Sequence, residues 1–329
     1  MYAPVSRALY GGLDRFYSGS AGWCWEEALW AAKHAKGVTF DIQGHGSVDP
    51  SDVLVLSFET LALAVLSSVP ISDRHKRVLV RTVAQPSDGN DVWDRIGQVA
   101  HQVFSWCCIG APEAAALRAW LLRRGLPARV SVASIGAEVV PAPDFSPRGR
   151  EGIVYLGGTF PGKRVEVVVE AASRAGISLY MGLVDMPPGT PSNWPDIQKQ
   201  INASRSLVSI GRYGIIERTQ LLSRVRAVVT AGEVDSWWIP GTEGPANGAV
   251  SIAGRTCAGK ENLICTRNGD DLKYHDGSVE GLVSTLKEWV LADTRWEQEA
   301  RRQHAIVRDG PKNAAAVGKA LWNWVEGAL

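Results

Sequence analysis

The sequence predicts an α/β protein built from two doubly wound domains in tandem, each a parallel β-sheet covered by helices. Short apolar runs rich in β-branched residues alternate with longer helix-period runs along the chain. A proline-rich stretch without apolar periodicity, Glu138–Glu151, interrupts this alternation near the middle. The length of 329 residues is sufficient for two cores of ordinary size.

In the first half, continuous apolar strands are separated by helical segments punctuated by Pro and Gly. Pro112 stands at the start of one predicted helix and Gly125 follows its end. In order, the predicted elements are strand Tyr2–Ser6, helix Trp23–Ala35, strands Val38–Ile42 and Val53–Phe58, helix Thr60–Ser68, strand Arg77–Val83, helix Asp91–Gln102, strand Val103–Ile109, helix Pro112–Arg124 and strand Arg129–Ser134.

The same alternation restarts after the proline-rich stretch, which divides the chain into domains 1–141 and 142–329. The predicted elements here are strand Ile153–Gly157, helix Val165–Ala175, strand Ser178–Leu183, a helix ending at Ser204, strand Leu207–Ile210, helix Ile216–Val225, strand Ala227–Thr230, a short helix after the loop Ala231–Gly244, strand Asn262–Thr266, helix Val279–Ala292 and the helical region Thr294–Leu329, broken at Gly310-Pro311. Doubly wound sheets bind ligands at the carboxyl ends of their strands, so we expect a site in a cleft between the two domains.

The composition limits the class of protein. Lys and Arg number 35 against 34 Asp and Glu, so the net charge of +1 argues against a strongly basic nucleic-acid-binding surface. The five cysteines show no CxxC spacing, which favours reduced thiols over a metal site. No segment has the pattern of a signal peptide or a membrane span. We therefore expect a cytoplasmic protein, in the host cytoplasm if the source is viral.

Tryptophan is unusually frequent, with 13 Trp against 6 Phe and 7 Tyr. Three lie in helical patterns and are predicted to be core residues: Trp30, Trp120 and Trp289. Four others, Trp23, Trp25, Trp237 and Trp238, stand near predicted loops. Their flat rings either stack on sugars or bases, or fill an interface between the domains.

A candidate phosphate-binding segment opens the second domain. The predicted strand runs through Gly157-Gly158, and Lys163 and Arg164 stand directly before the helix Val165–Ala175. Free backbone N–H groups, the positive end of a helix dipole and a lysine all favour an anion. The segment is neither a P-loop nor a GxGxxG motif, so the alternative is a tight turn with solvated cations.

This segment resembles the start of the C-terminal domain of GT-B glycosyltransferases, especially those of family 4. Leu156-Gly157 matches the end of the family strand, Lys163 matches the family lysine, and Glu170-Ala171 matches the helix. The family uses an Arg and this Lys on the donor diphosphate. The Arg position falls on Gly158 here, and Arg164 is the candidate substitute.

Further matches keep the order of the family. The segment Val208–Tyr213 resembles the one that holds the nucleobase, which implies a role for Gly211, Arg212 and Tyr213. The segment Gly241–Ser251 resembles the loop that binds the donor sugar and ribose. Glu243 matches the first acidic residue, and the second, eight positions later, falls on Ser251; Asn247 lies between them. The alternative is that the glycines of this segment only make a flexible loop.

On the acceptor side, Gly11-Gly12 resembles the glycine-rich loop of the family, and Asp14, Trp23 and Trp25 lie close in sequence. A retaining enzyme needs no separate base, although the family often has a histidine in the segment that reads Val80–Pro86 here, where there is none. An inverting enzyme needs a base for the acceptor hydroxyl. His45, in the loop Gly44-His-Gly46, is the first candidate, with Asp14 and Asp88 as others. The predicted catalytic residues are therefore His45 and Glu243.

The resemblance implies transfer of a sugar from a nucleotide-sugar co-substrate, UDP- or GDP-linked, to an acceptor hydroxyl, with neither a metal nor a further cofactor. The last helix is expected to cross back onto the first domain. A small molecule or a glycan is the favoured acceptor, and a hydroxymethylated base in DNA, as in viral enzymes, is the alternative. Because Gly158 and Ser251 depart from the motif, a non-catalytic protein that binds a nucleotide or a partner is the third possibility.

Overall fold

The computed structural model describes residues 7–11, 20–36, 39–42, 51–57, 59–68, 75–82, 86, 89, 91–183, 193–204, 206, 208–211, 215–233, 238–255 and 272–329. The strands in this part are β1 Arg7–Gly11, β2 Thr39–Ile42, β3 Ser51–Ser57, β4 His75–Thr82, β5 Val103–Cys108, β6 Val130–Val132, β7 Ile153–Gly157, β8 Leu179–Leu183, β9 Val208–Gly211, β10 Ala227–Thr230, β11 Val250–Gly254 and β12 Lys273–His275. The α-helices are α1 Ser20–Ala32, α2 Glu59–Ser68, α3 Asp91–Val99, α4 Ala111–Arg123, α5 Val165–Ala175, α6 Trp194–Ala203, α7 Ile215–Leu222, α8 Ile239–Ala246, α9 Val279–Trp289, α10 Asp293–Asp309 and α11 Ala314–Glu326.

The chain divides into two compact units. Unit 1 consists of Met1–Ser134 and Ala314–Leu329, and unit 2 consists of Ile135–Asn313. Each contains a six-stranded sheet, with all recorded strand pairs parallel. The predicted α/β class with two doubly wound sheets is thus confirmed.

The strand order of unit 1 is β2-β1-β3-β4-β5-β6, so the order reverses between β1 and β3. Its central strand is buried on both faces, since Val53–Leu56 has no exposed side chain. The core contains three tryptophans: the ring centroid of Trp93 lies 5.4 Å from that of Trp120 and 6.4 Å from that of Trp106. Much of the tryptophan surplus therefore fills cores.

A fully buried ion pair joins the end of β4 to α1. The Arg81 guanidinium donates to both carboxylate oxygens of Glu27, at 2.8 and 3.1 Å, and both side chains are 0% exposed. The thiol of Cys107 lies 3.7 Å from the same guanidinium. Burial raises the pKa of this thiol to about 11, so it stays protonated. The pair therefore joins α1 to the carboxyl end of β4.

The last helix, α11, packs against α1 within unit 1. The indole Nε1 of Trp324 donates to the Ser105 hydroxyl at 3.0 Å, and Arg77 donates to the carbonyl of Ala328 at 2.8 Å. The helices approach closely at Gly318, where a Cβ would lie 2.6 Å from the carbonyl of Trp30. Only a glycine fits this contact.

We therefore expect Gly318→Ala to lower the free energy of unfolding by about 1–3 kcal/mol, because the clash is with backbone that cannot rotate away. Helix propensity alone would give the opposite sign, a gain of about 1 kcal/mol. Urea-induced unfolding measures the difference. Gly327→Ala is the matched control, since a Cβ there meets its nearest atom at 3.4 Å. An unchanged or raised stability of Gly318→Ala would contradict this packing.

The strand order of unit 2 is β12-β11-β10-β7-β8-β9, the arrangement of dinucleotide-binding sheets, and it reverses between β7 and β10. Helices α5, α9 and α10 cover one face over a core of aliphatic side chains with the buried Trp296. The predicted strand Asn262–Thr266 lies outside the described residues. The edge strand Lys273–His275, which pairs with β11, was not predicted from the sequence. None of the described helices is long and apolar enough to cross a membrane.

Candidate functional site

The switch point of unit 2 lies between β7 and β10, where two loops leave the carboxyl edge of the sheet. The first loop follows Gly157, the last residue of β7, and ends at Lys163 and Arg164 before α5. The second follows Thr230, the last residue of β10. The N–H of Glu233 in the second loop donates to the carbonyl of Gly162 in the first, at 3.0 Å. The predicted phosphate segment thus stands at the position where such sheets bind ligands.

The geometry of the first loop depends on its glycines. A Cβ at Gly157 would lie 2.9 Å from the hydroxyl of Tyr155, and that hydroxyl donates to the carbonyl of Gly158 at 2.6 Å. After the loop, Lys163 is half-buried, with its Nζ 5.2 Å from the centroid of the Phe160 ring. The loop therefore keeps the ammonium group of Lys163 beside the first turn of α5, an arrangement that favours binding of an anion.

Arg164 joins the two loops in a strained backbone conformation. Its φ of 49° makes it the one non-glycine residue with positive φ in the described part of the chain. Its guanidinium pairs with Glu233 at 2.9 Å, and the two side chains are 30% and 52% exposed. Such conformations persist only where the surroundings hold them, and they concentrate at functional sites. Arg164 is thus accessible to a ligand.

Glu243 lies on α8, in a buried ion pair with Arg218 of α7. The guanidinium Nη2 is 2.6 Å from Oε1 of the carboxylate, and each side chain is 10% exposed. Burial raises the pKa of the Glu243 carboxyl, and the Arg218 charge opposes that rise. The second oxygen, Oε2, is buried and has no hydrogen-bond partner in the part of the chain that the structure describes. The site therefore offers one unsatisfied acceptor beside a buried cation.

The hydroxyl of Ser251 makes a hydrogen bond within unit 2. Pro245 lies within α8 and lacks an N–H, so the carbonyl of Gly241 has no donor from the next helical turn. The Ser251 hydroxyl, from β11, donates to this carbonyl at 2.7 Å, and the side chain is 0% exposed. The hydroxyl therefore completes the helix that carries Glu243, and a part for Ser251 in donor binding stays a prediction.

We expect Ser251→Ala to lower the free energy of unfolding by about 1–3 kcal/mol, because it leaves the buried carbonyl of Gly241 without a donor. The affinity for a nucleotide ligand should stay within about twofold of that of the parent protein, because the contact of His304 with the carbonyl of Pro245 still holds α8. Urea unfolding and calorimetric titration measure the two quantities. Ser223→Ala, which removes an exposed hydroxyl bonded to Gln220, is the control. If Ser251→Ala lost affinity for the ligand while its free energy of unfolding stayed unchanged, the result would indicate that Ser251 contacts the ligand.

Other donor-side predictions fall around α8 and β9. Asn247 follows α8 and is 4% exposed. Its side-chain amide donates to the carbonyl of Glu243 at 2.9 Å, and none of the described residues hydrogen-bonds its Oδ1. Trp238, one of the tryptophans considered for stacking, is 3% exposed and packs over Gly241, so it is a core residue. Gly211 is the last residue of β9. Arg212, Tyr213 and Trp237 lie outside the described residues.

The predicted acceptor side falls mostly outside the described part of the chain. Gly11 ends β1, beside the reversal of strand order in unit 1. Trp23 and Trp25 lie in the first half of α1. The remaining candidates are outside the described residues: Gly12, Asp14, His45 and Asp88. Among the residues that are described, no group of three or more His, Cys, Asp and Glu side chains is arranged to hold a metal ion.

Three residues that contribute to this region were not predicted from the sequence. Arg218 and Glu233 act through contacts distant in sequence, which local spacing does not indicate. His275 ends β12, and its Nε2 donates to the carbonyl of Thr230 at 3.0 Å while its Nδ1 accepts from the N–H of Gly277. Burial lowers the pKa of His275, which keeps the ring neutral. It holds the ends of β10 and β12 together.

Comparison with known proteins supports the fold. No protein-family model and no curated protein matches the sequence. Similar solved structures include Anabaena Alr3699/HepE in complex with UDP and glucose, with a TM-score of 0.73 at 10% identity over 98% of this chain and 100% of that one. An E. coli trehalose-6-phosphate structure bound with UDP-2-fluoro glucose gives 0.70 at 8% identity over 98% and 99%. An alpha-glucosyltransferase in complex with UDP and a 13-mer DNA containing an HMU base gives 0.67 at 12% identity over 98% and 100%.

The chain spans 58% and 57% of the length of two other similar chains, those of the GtfA/B complex and TarM. The architecture that these structures share with the present chain is the GT-B fold of glycosyltransferases. The GT-B prediction is thus confirmed, and membership of family 4 stays a prediction.

Proposed function

We propose that this protein is a glycosyltransferase that moves a sugar from a UDP-linked donor to an acceptor hydroxyl. One observation carries the proposal: the switch point of unit 2 presents the loop of Lys163 and Arg164, in a fold shared with structures that hold UDP and sugars. The buried acceptor oxygen of Glu243 supports it, because an unsatisfied carboxylate oxygen suits a hydroxyl donor of a ligand.

In this proposal the diphosphate of the donor binds at the loop after β7. Lys163 supplies a point charge, and backbone N–H groups at the start of α5 supply donors. Arg164 leaves its ion pair with Glu233 and binds a phosphate oxygen instead. In this role Arg164 replaces the family arginine, whose position is Gly158 here. These cations stabilise the diphosphate as it leaves, so no metal is needed. The nucleobase lies by Gly211, with Arg212 and Tyr213.

For the acidic pair of the donor loop we propose residues that differ from those supplied by the resemblance. A spacing of eight positions also links Asp235 to Glu243, and Ser251 is occupied within the fold. We therefore propose Asp235, which lies outside the described residues, as the first acidic group and Glu243 as the second. Both would accept hydroxyl hydrogen bonds from the donor.

The acceptor is assigned to unit 1, at the loop after Gly11 with Asp14, Trp23 and Trp25. A retaining transfer needs no protein base, while an inverting transfer needs one to take the proton of the acceptor hydroxyl, for which His45 is the candidate. A small molecule or a glycan is the favoured acceptor, because the net charge of +1 gives little general attraction for a phosphate backbone.

DNA is the second candidate acceptor. Two similar structures are of an alpha-glucosyltransferase with DNA, one containing an HMU base and one an abasic site, with TM-scores of 0.67 and 0.66. A base extruded from the duplex would need aromatic faces for stacking. Retention of the protein on hydroxymethylated DNA that weakens with salt would favour this acceptor over a small one.

The test is a panel of nucleotide sugars, including UDP-glucose, UDP-N-acetylglucosamine and GDP-mannose, offered with sugar acceptors and with hydroxymethylated DNA. We expect release of UDP from at least one UDP-sugar, and transfer when the correct acceptor is present. Thermal shift with the same panel reports binding without turnover. Binding without turnover would favour the non-catalytic alternative, and neither binding nor turnover would exclude the nucleotide-sugar site.

A further inference from the structure

Arg218 and Glu243 form an ion pair that stability alone does not explain. Each side chain is 10% exposed, so both charges have lost most of their hydration. Removing two charges from water offsets much of their attraction, and an apolar pair of similar volume holds a core at least as well. The guanidinium Nη2 lies 2.6 Å from Oε1 of the carboxylate, and Oε2 has no hydrogen-bond partner among the described residues. The arrangement suits a carboxylate that completes its hydrogen bonds with a ligand.

We propose that Arg218 is a positioning residue that holds the Glu243 carboxylate in one orientation and favours its charged form, so that Oε2 accepts a hydroxyl of the donor. This inference rests on the proposed function, and Arg218 acts through Glu243 without contacting the substrate. Hydrogen bonds to an ionised acceptor are about twice as strong as those to a neutral one. The charge and the orientation therefore both contribute to donor affinity.

The helix that carries Glu243 is itself held rigidly. The Ser251 hydroxyl donates to the carbonyl of Gly241, and the Nδ1 of His304 on α10 is 2.9 Å from the carbonyl of Pro245. With the backbone fixed at both points, the remaining freedom of Glu243 is in its side chain. The contact with Arg218 removes that freedom.

Among the side chains that the neighbouring elements contribute around Glu243, Arg218 has the main influence on its protonation. Helix α7 contributes Arg218, and α10 contributes His304, whose pKa is lowered by burial, so that its ring is neutral. The neighbouring strands β10 and β11 contact α8 through Val228 and Ser251, which do not titrate. Burial raises the pKa of Glu243. Removal of the Arg218 charge should raise it further, so a neutral carboxyl would persist to higher pH.

The experiment compares Arg218→Met, Arg218→Lys and Glu243→Gln in the full chain. Calorimetry measures the Kd for UDP-glucose between pH 6 and pH 9, and melting temperatures are recorded alongside. We expect Arg218→Met to raise Kd about 10- to 100-fold at pH 7. Its Kd should fall as pH rises, because deprotonation of Glu243 restores the acceptor. The Kd of Arg218→Lys should depend on pH no more steeply than the parental Kd, and Glu243→Gln should be weak at every pH. Arg295→Met, which removes a surface ion pair with Glu288, is the matched control.

An Arg218→Met protein that melts earlier but binds UDP-glucose with the parental Kd would overturn the inference and leave the proposed function standing. A Kd that is raised equally at all pH values would also overturn it, since that result indicates a general packing defect. If Arg218→Met does not fold, Arg218→Lys decides the question: a Kd for this variant that depends on pH more steeply than the parental Kd contradicts the role. Failure of the parent protein to bind any nucleotide sugar is the separate outcome that rejects the proposed function.

Discussion

Replacing Lys163 with alanine is expected to weaken binding of UDP-glucose about 100- to 1,000-fold, which calorimetric titration measures as Kd. The loss follows from removing one partner of a charged hydrogen-bonded pair, which costs about 2–5 kcal/mol in a protected site. Lys163 stands half-buried before the first turn of α5, where the remaining N–H groups cannot supply a full charge. The turnover of UDP-glucose should fall with the affinity, because the same charge stabilises the leaving diphosphate.

Lys199→Ala is the control for this variant. Lys199 lies on α6 with its side chain 80% exposed, and its ion pair with Asp196 is a surface pair that contributes little. We expect its Kd for UDP-glucose to match that of the parent chain. Equal affinities of the Lys163→Ala protein and the parent would reject the diphosphate site at the loop after β7.

Arg150→Met is expected to lower the free energy of unfolding by about 3–5 kcal/mol, the largest effect on stability that we predict. Arg150 is 2% exposed, and its guanidinium donates to four carbonyls from three segments of unit 2: Asp144 at 2.6 Å, Leu222 and Val225 at 3.1 Å, and Asn247 at 2.5 Å. Burial lowers its pKa to about 10, which still leaves it charged at pH 7. Methionine has a similar length and leaves all four carbonyls without this donor.

Urea unfolding measures the loss, and hydrogen exchange should assign it to unit 2. Arg150→Lys should recover only part of the stability, because an ammonium group cannot reproduce the planar fork of five donors. Arg148→Met, two residues away on an exposed side chain, should change the stability by less than about 0.5 kcal/mol. If the Arg150→Met protein were as stable as the Arg148→Met protein, the buried guanidinium of Arg150 would not be needed for stability.

The elements of unit 2 that surround the switch point were predictable from local pattern. The strand Ile153–Gly157, the helix Val165–Ala175 and the strand Ala227–Thr230 occur with the predicted bounds. Continuous apolar strands and a cation at a helix start are short-range features, and short-range features are visible in a sequence. The break at Gly310-Pro311 likewise separates α10 from α11.

The elements and contacts that were missed depend on the rest of the fold. Strand Lys273–His275 has no apolar alternation, and it is defined by its pairing with β11. The ion pair of Arg218 with Glu243 joins two helices, and no spacing along the chain indicates it. Ser251 was placed in the donor loop because the resemblance supplied a position, whereas Pro245 determines what its hydroxyl does. Side-chain roles of this kind follow only from tertiary contacts.

The most direct test of the central claim is a calorimetric titration of the full chain with UDP-glucose, followed by the same titration of Glu243→Gln. We expect one binding site per chain with a Kd in the range of about 1 μM to 1 mM, common for enzyme substrates. Glu243→Gln should bind about 10- to 100-fold more weakly, because it replaces an ionised acceptor with a neutral one. Absence of binding by the parent chain to UDP-glucose and to every other UDP-sugar would contradict the assignment of unit 2 as a nucleotide-sugar site.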